Sequence, residues 1–110
     1  MYIHRSTQQG AVPVKNLIIS NDIEEKLKEK HTVSRREVEQ CFENKRVSAL
    51  IDIREEHKTN PSTEWFLERT NQGRILKIVY IQQNNKIYLK TAYPANSQEI
   101  DIYSRLCGTI

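Results

Sequence analysis

Two tight-turn signals in the second half of the chain constrain its fold more than any other feature. Residues 71–73 read Asn-Gln-Gly, whose glycine can adopt the positive φ of a hairpin turn, and residues 83–86 form a second short polar run. These turns separate three runs rich in β-branched and aromatic residues, at 63–70, 74–82 and 86–93. Three strands joined by short turns are predicted to form an antiparallel meander.

Residues 47–53 are predicted to form a further strand ahead of the meander. In this run the apolar period changes from 3.6 to 2, and apolar side chains occupy alternate positions: Val47, Ala49, Ile51 and Ile53. The short apolar run at 16–20 is compatible with an edge strand.

Two helices are predicted before the strands and one after them. Residues 22–30 place acidic side chains first and lysines last, which suits the helix dipole. Residues 35–43 follow Ser34, and Glu37 completes a capping box with it. Asn96 and Glu99 repeat this spacing ahead of a final helix at 97–106.

The predicted order is therefore helix, helix, four strands, helix. This order indicates an α+β sandwich in which an antiparallel sheet carries its helices on one side. Residues 1–16 are polar, contain Gly10 and Pro13 and show no period, so they are predicted to be a loose N-terminal arm. Residues 17–110 are predicted to form one domain, as the length of 110 residues suggests.

The composition and motifs of the sequence exclude several classes of functional site and of cellular location. The sequence shows no metal-ligand cluster, glycine-rich phosphate loop or nucleophile elbow, so we expect no metal and no cofactor. No apolar run reaches the ~20 residues of a membrane span, and a signal peptide is not evident. A cytoplasmic protein without membrane association is predicted. Cys41 and Cys107 are expected to be reduced, buried thiols, although a single disulfide stays open.

The run "REEHK" at 54–58 concentrates proton-active and cationic side chains. Histidine, here His57, is the side-chain type whose unperturbed pKa lies near neutrality. Glu55 or Glu56 could act as a base. Arg54 and Lys58 could bind an oxyanion. The run is equally compatible with a hydrated connection whose ion pairs contribute under about 1 kcal/mol each.

Basic residues of the sheet and its borders indicate an RNA-binding surface. Alternation predicts that Lys77 and Lys90 lie on an open face with Tyr88, where lysines meet phosphates and tyrosine stacks on bases. The RNA-binding set also includes Lys45, Arg46, Lys58 and Arg69. A solvated outer face is the alternative.

Aromatic and histidine residues outside these runs have other expected roles. Tyr93, at the end of the last strand, is compatible with base stacking, with proton donation or with closing the edge of the core. Trp65 is expected in the core. His31 is expected to act as a cation at a helix end.

Two segments resemble BrnT-type toxins of bacterial toxin–antitoxin pairs. "KHTVSRREVEQCFEN" at 30–44 resembles their "KHG-V-…-EVE-F" helix segment. "GRILKIVYIQQNNKIYLKTAYPANSQEIDIYSRL" at 73–106 resembles their "GR-L-VVY" strand, the following strand ending in "I-SAR-A" and an acidic helix. The resemblance covers about residues 19–106. It implies a RelE-like fold of two helices, a curved antiparallel sheet and a last helix.

The resemblance also implies an activity and a partner. Such toxins are metal-independent ribonucleases that cut messenger RNA, free or on the ribosome, and a small DNA-binding antitoxin inhibits them. Arg74 matches the arginine of "GR", whereas Tyr93 stands where the family has the arginine of "SAR-A".

The resulting hypothesis assigns catalytic roles to Arg54, Glu56, His57, Arg74 and Tyr93. Glu56 or His57 would take the proton of the RNA 2′-hydroxyl. Arg54, Arg74 and Lys90 would stabilise the phosphate. His57 or Tyr93 would protonate the leaving oxygen.

Two other functions remain open. A non-enzymatic binding module of the same fold would be a degenerate toxin, an immunity protein or a regulatory protein. The segment "DIREEHKTNPSTEWFLERT" at 52–70 is similar to small bacterial proteins that carry the name ADP-ribosyl-(dinitrogen reductase) hydrolase. True hydrolases of that name have a larger, helical, magnesium-dependent fold with carboxylate clusters, which this sequence lacks.

Overall fold

The computed structural model describes the backbone of residues 2–4 and the chain at 16–46, 48–52 and 59–108. Within these residues the fold is α+β, with six strands and three α-helices. The elements in chain order are β1 Tyr2–His4, β2 Leu17–Ile18, α1 Asn21–Lys26, which continues directly into a π-helical turn Leu27–His31, α2 Arg35–Asn44, β3 Leu50–Asp52, β4 Thr63–Arg69, β5 Ile75–Gln83, β6 Lys86–Pro94 and α3 Ser97–Cys107.

The strands form one sheet in the order β1-β3-β4-β5-β6-β2. Neighbours from β3 to β6 are antiparallel, which confirms the predicted meander. Strand β2 pairs in parallel with β6, so the run at 16–20 does contain an edge strand. The sheet is therefore mainly antiparallel, as predicted, but it has one parallel pair and six strands where four were expected.

Strand β1 was not anticipated. Tyr2–His4 pairs antiparallel with Leu50–Asp52, so part of the predicted arm joins the sheet. Three residues are too few to show a period of 2, and the pairing depends on a strand about 50 residues later in the chain. The domain boundary placed after residue 16 stays a prediction.

The local capping signals are confirmed. Ser34 accepts a hydrogen bond from the Glu37 amide, and Glu37 accepts one from the Ser34 amide. Asn96 and Glu99 make the same reciprocal pair at the start of α3. Both helices therefore begin where the sequence indicates, because the capping groups lie within the segment that they stabilise.

Helices cover both faces of the sheet, so the prediction that they pack on one side is wrong. The ring of Phe42 in α2 lies 5.1 Å from that of Phe66, whereas Tyr103 in α3 lies 5.7 Å from Trp65. Trp65 and Phe66 are consecutive in β4 and therefore point to opposite faces. Both faces of the sheet need cover because every side chain of β4 from Thr63 to Glu68 is buried, and these side chains alternate between the two faces.

The two faces share a single core around β4 and β5. On the α2 face Phe42, Phe66 and Tyr80 form edge-to-face contacts with centroid separations between 5.1 and 6.0 Å. On the other face Trp65 and Tyr103 are buried, and the Tyr103 hydroxyl donates to the Ser48 carbonyl at 3.1 Å. Trp65 thus belongs to the core, as expected. In the described part of the chain no helix has the length and apolarity to cross a bilayer.

Candidate functional site

Two of the predicted site residues meet where β5 and β6 lie under α3. Lys77 and Tyr93 are direct partners across the two strands. The Tyr93 hydroxyl donates to Oε2 of Glu99 at 2.9 Å, and Lys77 Nζ lies 3.0 Å from the same oxygen. Glu99 belongs to the first turn of α3, so these bonds fix the helix to the sheet.

Lys77 does not lie on an open face. Its side chain is 12% exposed, and its ammonium lies over the Trp65 ring at 4.5 Å and over the Tyr93 ring at 5.7 Å. The sequence predicted the alternation correctly but not the helix that covers this face. Lys77 is thus held by an ion pair and two cation–π contacts.

The Glu99 carboxylate stays charged in this environment. Burial alone would raise the pKa of Glu99, but the Asn96 amide, Lys77 and Tyr93 all bond to the ionised form and together hold the pKa below its usual range. Oε1 accepts from the Asn96 amide at 3.0 Å, so both carboxylate oxygens are in use. Sequence analysis recognised Glu99 only as a capping residue and missed its contacts with the sheet.

His31 is a second residue that sequence reasoning left outside the site. Its ring centroid lies 5.5 Å from that of Tyr93, with the ring planes inclined by 41°. His31 ends the π-helical turn, which confirms its predicted place at a helix end, and its side chain is half-buried against the sheet. We call His31, Lys77, Tyr93 and Glu99 the edge cluster.

Arg74 bonds the backbone next to the edge cluster, at His31 and Thr32. Its guanidinium donates to the His31 carbonyl at 2.9 Å and to the Thr32 carbonyl at 2.7 Å. It also bonds both oxygens of Glu37 at 3.1 Å. Most of the donors of this side chain are directed to the protein, which suits a residue that positions His31.

The remaining predicted RNA-binding residues do not gather at this place. Lys45 Nζ lies 5.5 Å over the Phe66 ring, on the α2 face, and Arg46 is 3.6 Å from Glu68. Arg69 donates to the Gly73 carbonyl at 3.2 Å. The predicted basic residues are therefore spread over both faces and the β4–β5 turn.

Tyr88 and Lys90 are exposed on β6. Tyr88 precedes Tyr93 by five residues, about 16 Å along an extended strand. Lys90 lies where the β5–β6 register shifts between Val79 and Tyr80. These two residues could contact an extended ligand that also reaches Tyr93.

The loop residues Arg54, Glu56, His57 and Lys58 lie outside the described residues, so their predicted roles stay predictions. At 16–46, 48–52 and 59–108 no group of three or more His, Cys, Asp or Glu side chains is arranged to hold a metal ion.

Comparison with protein-family models, with curated proteins and with solved structures finds no match for this chain. Its residues and their geometry therefore carry the functional argument.

Proposed function

We propose that this chain is a metal-independent endoribonuclease of the RelE-like type, the toxin of a bacterial toxin–antitoxin module. The supporting observation is the element order: two helical segments, four consecutive antiparallel strands and a terminal helix. This order agrees with the fold that the BrnT resemblance implies. Strands β1 and β2 extend the sheet at its two edges. A small DNA-binding protein is the expected inhibitor.

The proposed chemistry is cleavage of an RNA phosphodiester at the edge cluster. The half-buried ring of Tyr93 offers a surface on which a base can stack, and Lys90 is an exposed cation on the same strand. Arg74 acts by holding the backbone at His31 and Thr32. Tyr93 thus takes the place of the arginine expected in the family motif through stacking rather than through charge.

Tightly controlled expression in a bacterial host tests the proposal. The wild-type chain is expected to stop growth and to fragment cellular RNA, and the purified chain to cleave RNA in excess EDTA. Tyr93→Ala should abolish both effects, because it removes the stacking surface. Tyr88→Ala is the matched control, since it removes an exposed tyrosine of the same strand, and should reduce cleavage less. Intact RNA and normal growth with the wild-type chain would refute the proposal.

A non-enzymatic binding module is the second candidate, and one observation favours it. Arg74 and Lys77, two of the predicted RNA contacts, are each engaged by a glutamate of the fold. Fewer cations are then available for phosphate. A chain that neutralises several phosphates must lose RNA affinity steeply as salt rises, whereas a protein-binding module shows no such affinity. Titration of RNA at about 50 mM and 200 mM salt separates the two.

A further inference from the structure

We propose that His31 is the general base of the edge cluster, a role that rests on the proposed ribonuclease function. Its imidazole would take the proton from the RNA 2′-hydroxyl. Histidine is the side chain most often used for this purpose in enzymes. The role belongs to a residue that the sequence suggested only as a helix-end cation.

Three elements of the fold converge on the edge cluster. The π-helical turn brings His31, β6 brings Tyr93 and α3 brings Glu99, and these elements meet at one end of the sheet. The Tyr93 ring is fixed on one side by its hydroxyl bond to Glu99 and on another by the ammonium of Lys77. The imidazole thus packs against an aromatic side chain that is itself held in place.

The backbone around His31 adopts two uncommon conformations in succession. A π-helical segment, which is rare and frequently found at functional sites, ends at His31. The next residue, Thr32, has φ 53° and ψ 47°, a left-handed conformation that a β-branched residue seldom adopts. Two unfavourable local conformations in succession persist only when their surroundings enforce them.

Arg74 stabilises these two backbone conformations. It bonds the carbonyls of both His31 and Thr32, and Glu37 anchors its guanidinium from α2. The Val33 amide also donates to the Leu27 carbonyl across the turn at 2.9 Å. All these bonds use the backbone at residues 31–33, so the His31 imidazole is not required for them. The fixed backbone and the contact of the imidazole with the Tyr93 ring together restrict where the imidazole can lie.

The reaction step conserves atoms and charge. The 2′-oxygen gives its proton to the His31 imidazole and forms a bond to the adjacent phosphorus, while the bond from phosphorus to the 5′-oxygen breaks. The leaving 5′-oxygen takes a proton from a water molecule, and the resulting hydroxide takes the proton back from His31. The products are a 2′,3′-cyclic phosphate and a free 5′-hydroxyl, with His31 regenerated.

Steady-state cleavage of a short RNA by the purified chain in EDTA tests this role. His31→Ala is expected to lower kcat by about 10²- to 10⁴-fold with little change in KM. Lys30→Ala is the matched control, since it alters the exposed neighbouring residue. Its kcat should stay within a few-fold of the wild-type value. In His31→Gly, added imidazole should restore part of the lost rate, which a purely structural role of His31 would not allow.

The outcomes separate the two proposals. If the wild-type chain cleaves and His31→Ala cleaves equally fast, the His31 role is wrong and the ribonuclease function stands. If the wild-type chain leaves RNA intact, both are wrong. Circular dichroism of each variant checks folding, and His31→Gln provides a polar replacement if the alanine variant unfolds. A slow, folded variant that imidazole does not rescue would also count against His31 as the base.

Discussion

Among the described residues other than glycine that have a positive φ, Thr32 is the β-branched one, a type that seldom adopts this conformation. The left-handed region costs a non-glycine residue about 1–2 kcal/mol. Threonine gives no hint of a positive φ, so the sequence did not predict this conformation, and the bonds from Arg74 explain how it persists.

We expect Thr32→Gly to raise the free energy of unfolding by about 0.5–1 kcal/mol. Glycine removes the steric cost of the left-handed conformation. Part of this gain in stability is offset, because glycine gives the unfolded chain more conformational entropy. Urea denaturation at equilibrium measures the difference. Thr32→Ala is the control, because it keeps the Cβ that causes the strain. A glycine variant no more stable than the alanine variant would show that position 32 is not strained.

At the scale of elements, the contact between α3 and the sheet is polar at one end and apolar at the other. Glu99 in the first turn bonds Lys77 and Tyr93, while Tyr103 packs on Trp65. Glu99 also completes the capping box of α3. One carboxylate therefore stabilises both the start of the helix and its contact with β5 and β6.

We expect Glu99→Gln to lower the free energy of unfolding by about 1–3 kcal/mol at neutral pH, because it removes a charged acceptor from Lys77. Since the folded protein holds the Glu99 pKa below its ordinary value, this stabilisation is complete above the ordinary carboxyl pKa. It is lost as pH falls through the lowered folded-state pKa. The difference between the two proteins should therefore shrink between pH 7 and about pH 3.

Urea denaturation at the two pH values checks this expectation. Asp101→Asn is the control, because the Asp101–Arg105 pair on α3 is exposed to solvent and should contribute under about 1 kcal/mol at either pH. A stability difference for Glu99→Gln that stays constant between the two pH values would contradict the assigned charge of Glu99.

At the scale of the whole molecule, the sheet separates the two cysteines. Cys41 lies in α2, with its thiol 3.5 Å from the Glu68 carbonyl, and Cys107 ends α3 on the opposite face. Both thiols are free; Cys41 is buried, as expected, whereas Cys107 is only half-buried, which the sequence did not predict. Burial raises the pKa of Cys41 to about 12 and that of Cys107 to about 11.

We expect both thiols to alkylate slowly in the folded protein at pH 8, because the thiolate is the reactive form. Cys107 should react faster than Cys41, since it is only half-buried, and both should react rapidly in urea. Mass spectrometry after timed iodoacetamide labelling measures these rates, with Cys107→Ser as the control that assigns the label. A disulfide between the two cysteines within one monomer, detected as the loss of two hydrogen atoms on oxidation, would contradict their separation by the sheet.

The sequence predicted those parts of the structure whose causes lie close together in the chain. The capping boxes at Ser34 and Asn96, the turn at Gly73 and the order of β4, β5 and β6 depend on neighbours within a few residues. Local reasoning missed the π-helical turn and the short strand β1, and of the strand predicted at 47–53 the described residues 48–52 form only Leu50–Asp52.

Only the tertiary structure decided what covers each face and which side chains meet. His31 and Tyr93 are 62 positions apart, and no period or spacing connects them. Their contact requires α1 and its π-helical turn to lie against β6, while α3 crosses the opposite face and buries Lys77. The sequence alone determined the three helices and the order of strands β3 to β6, because local hydrogen bonds and apolar periods specify these. The edge cluster depends on packing between elements distant in the chain, and that packing is set by burial of the whole sheet.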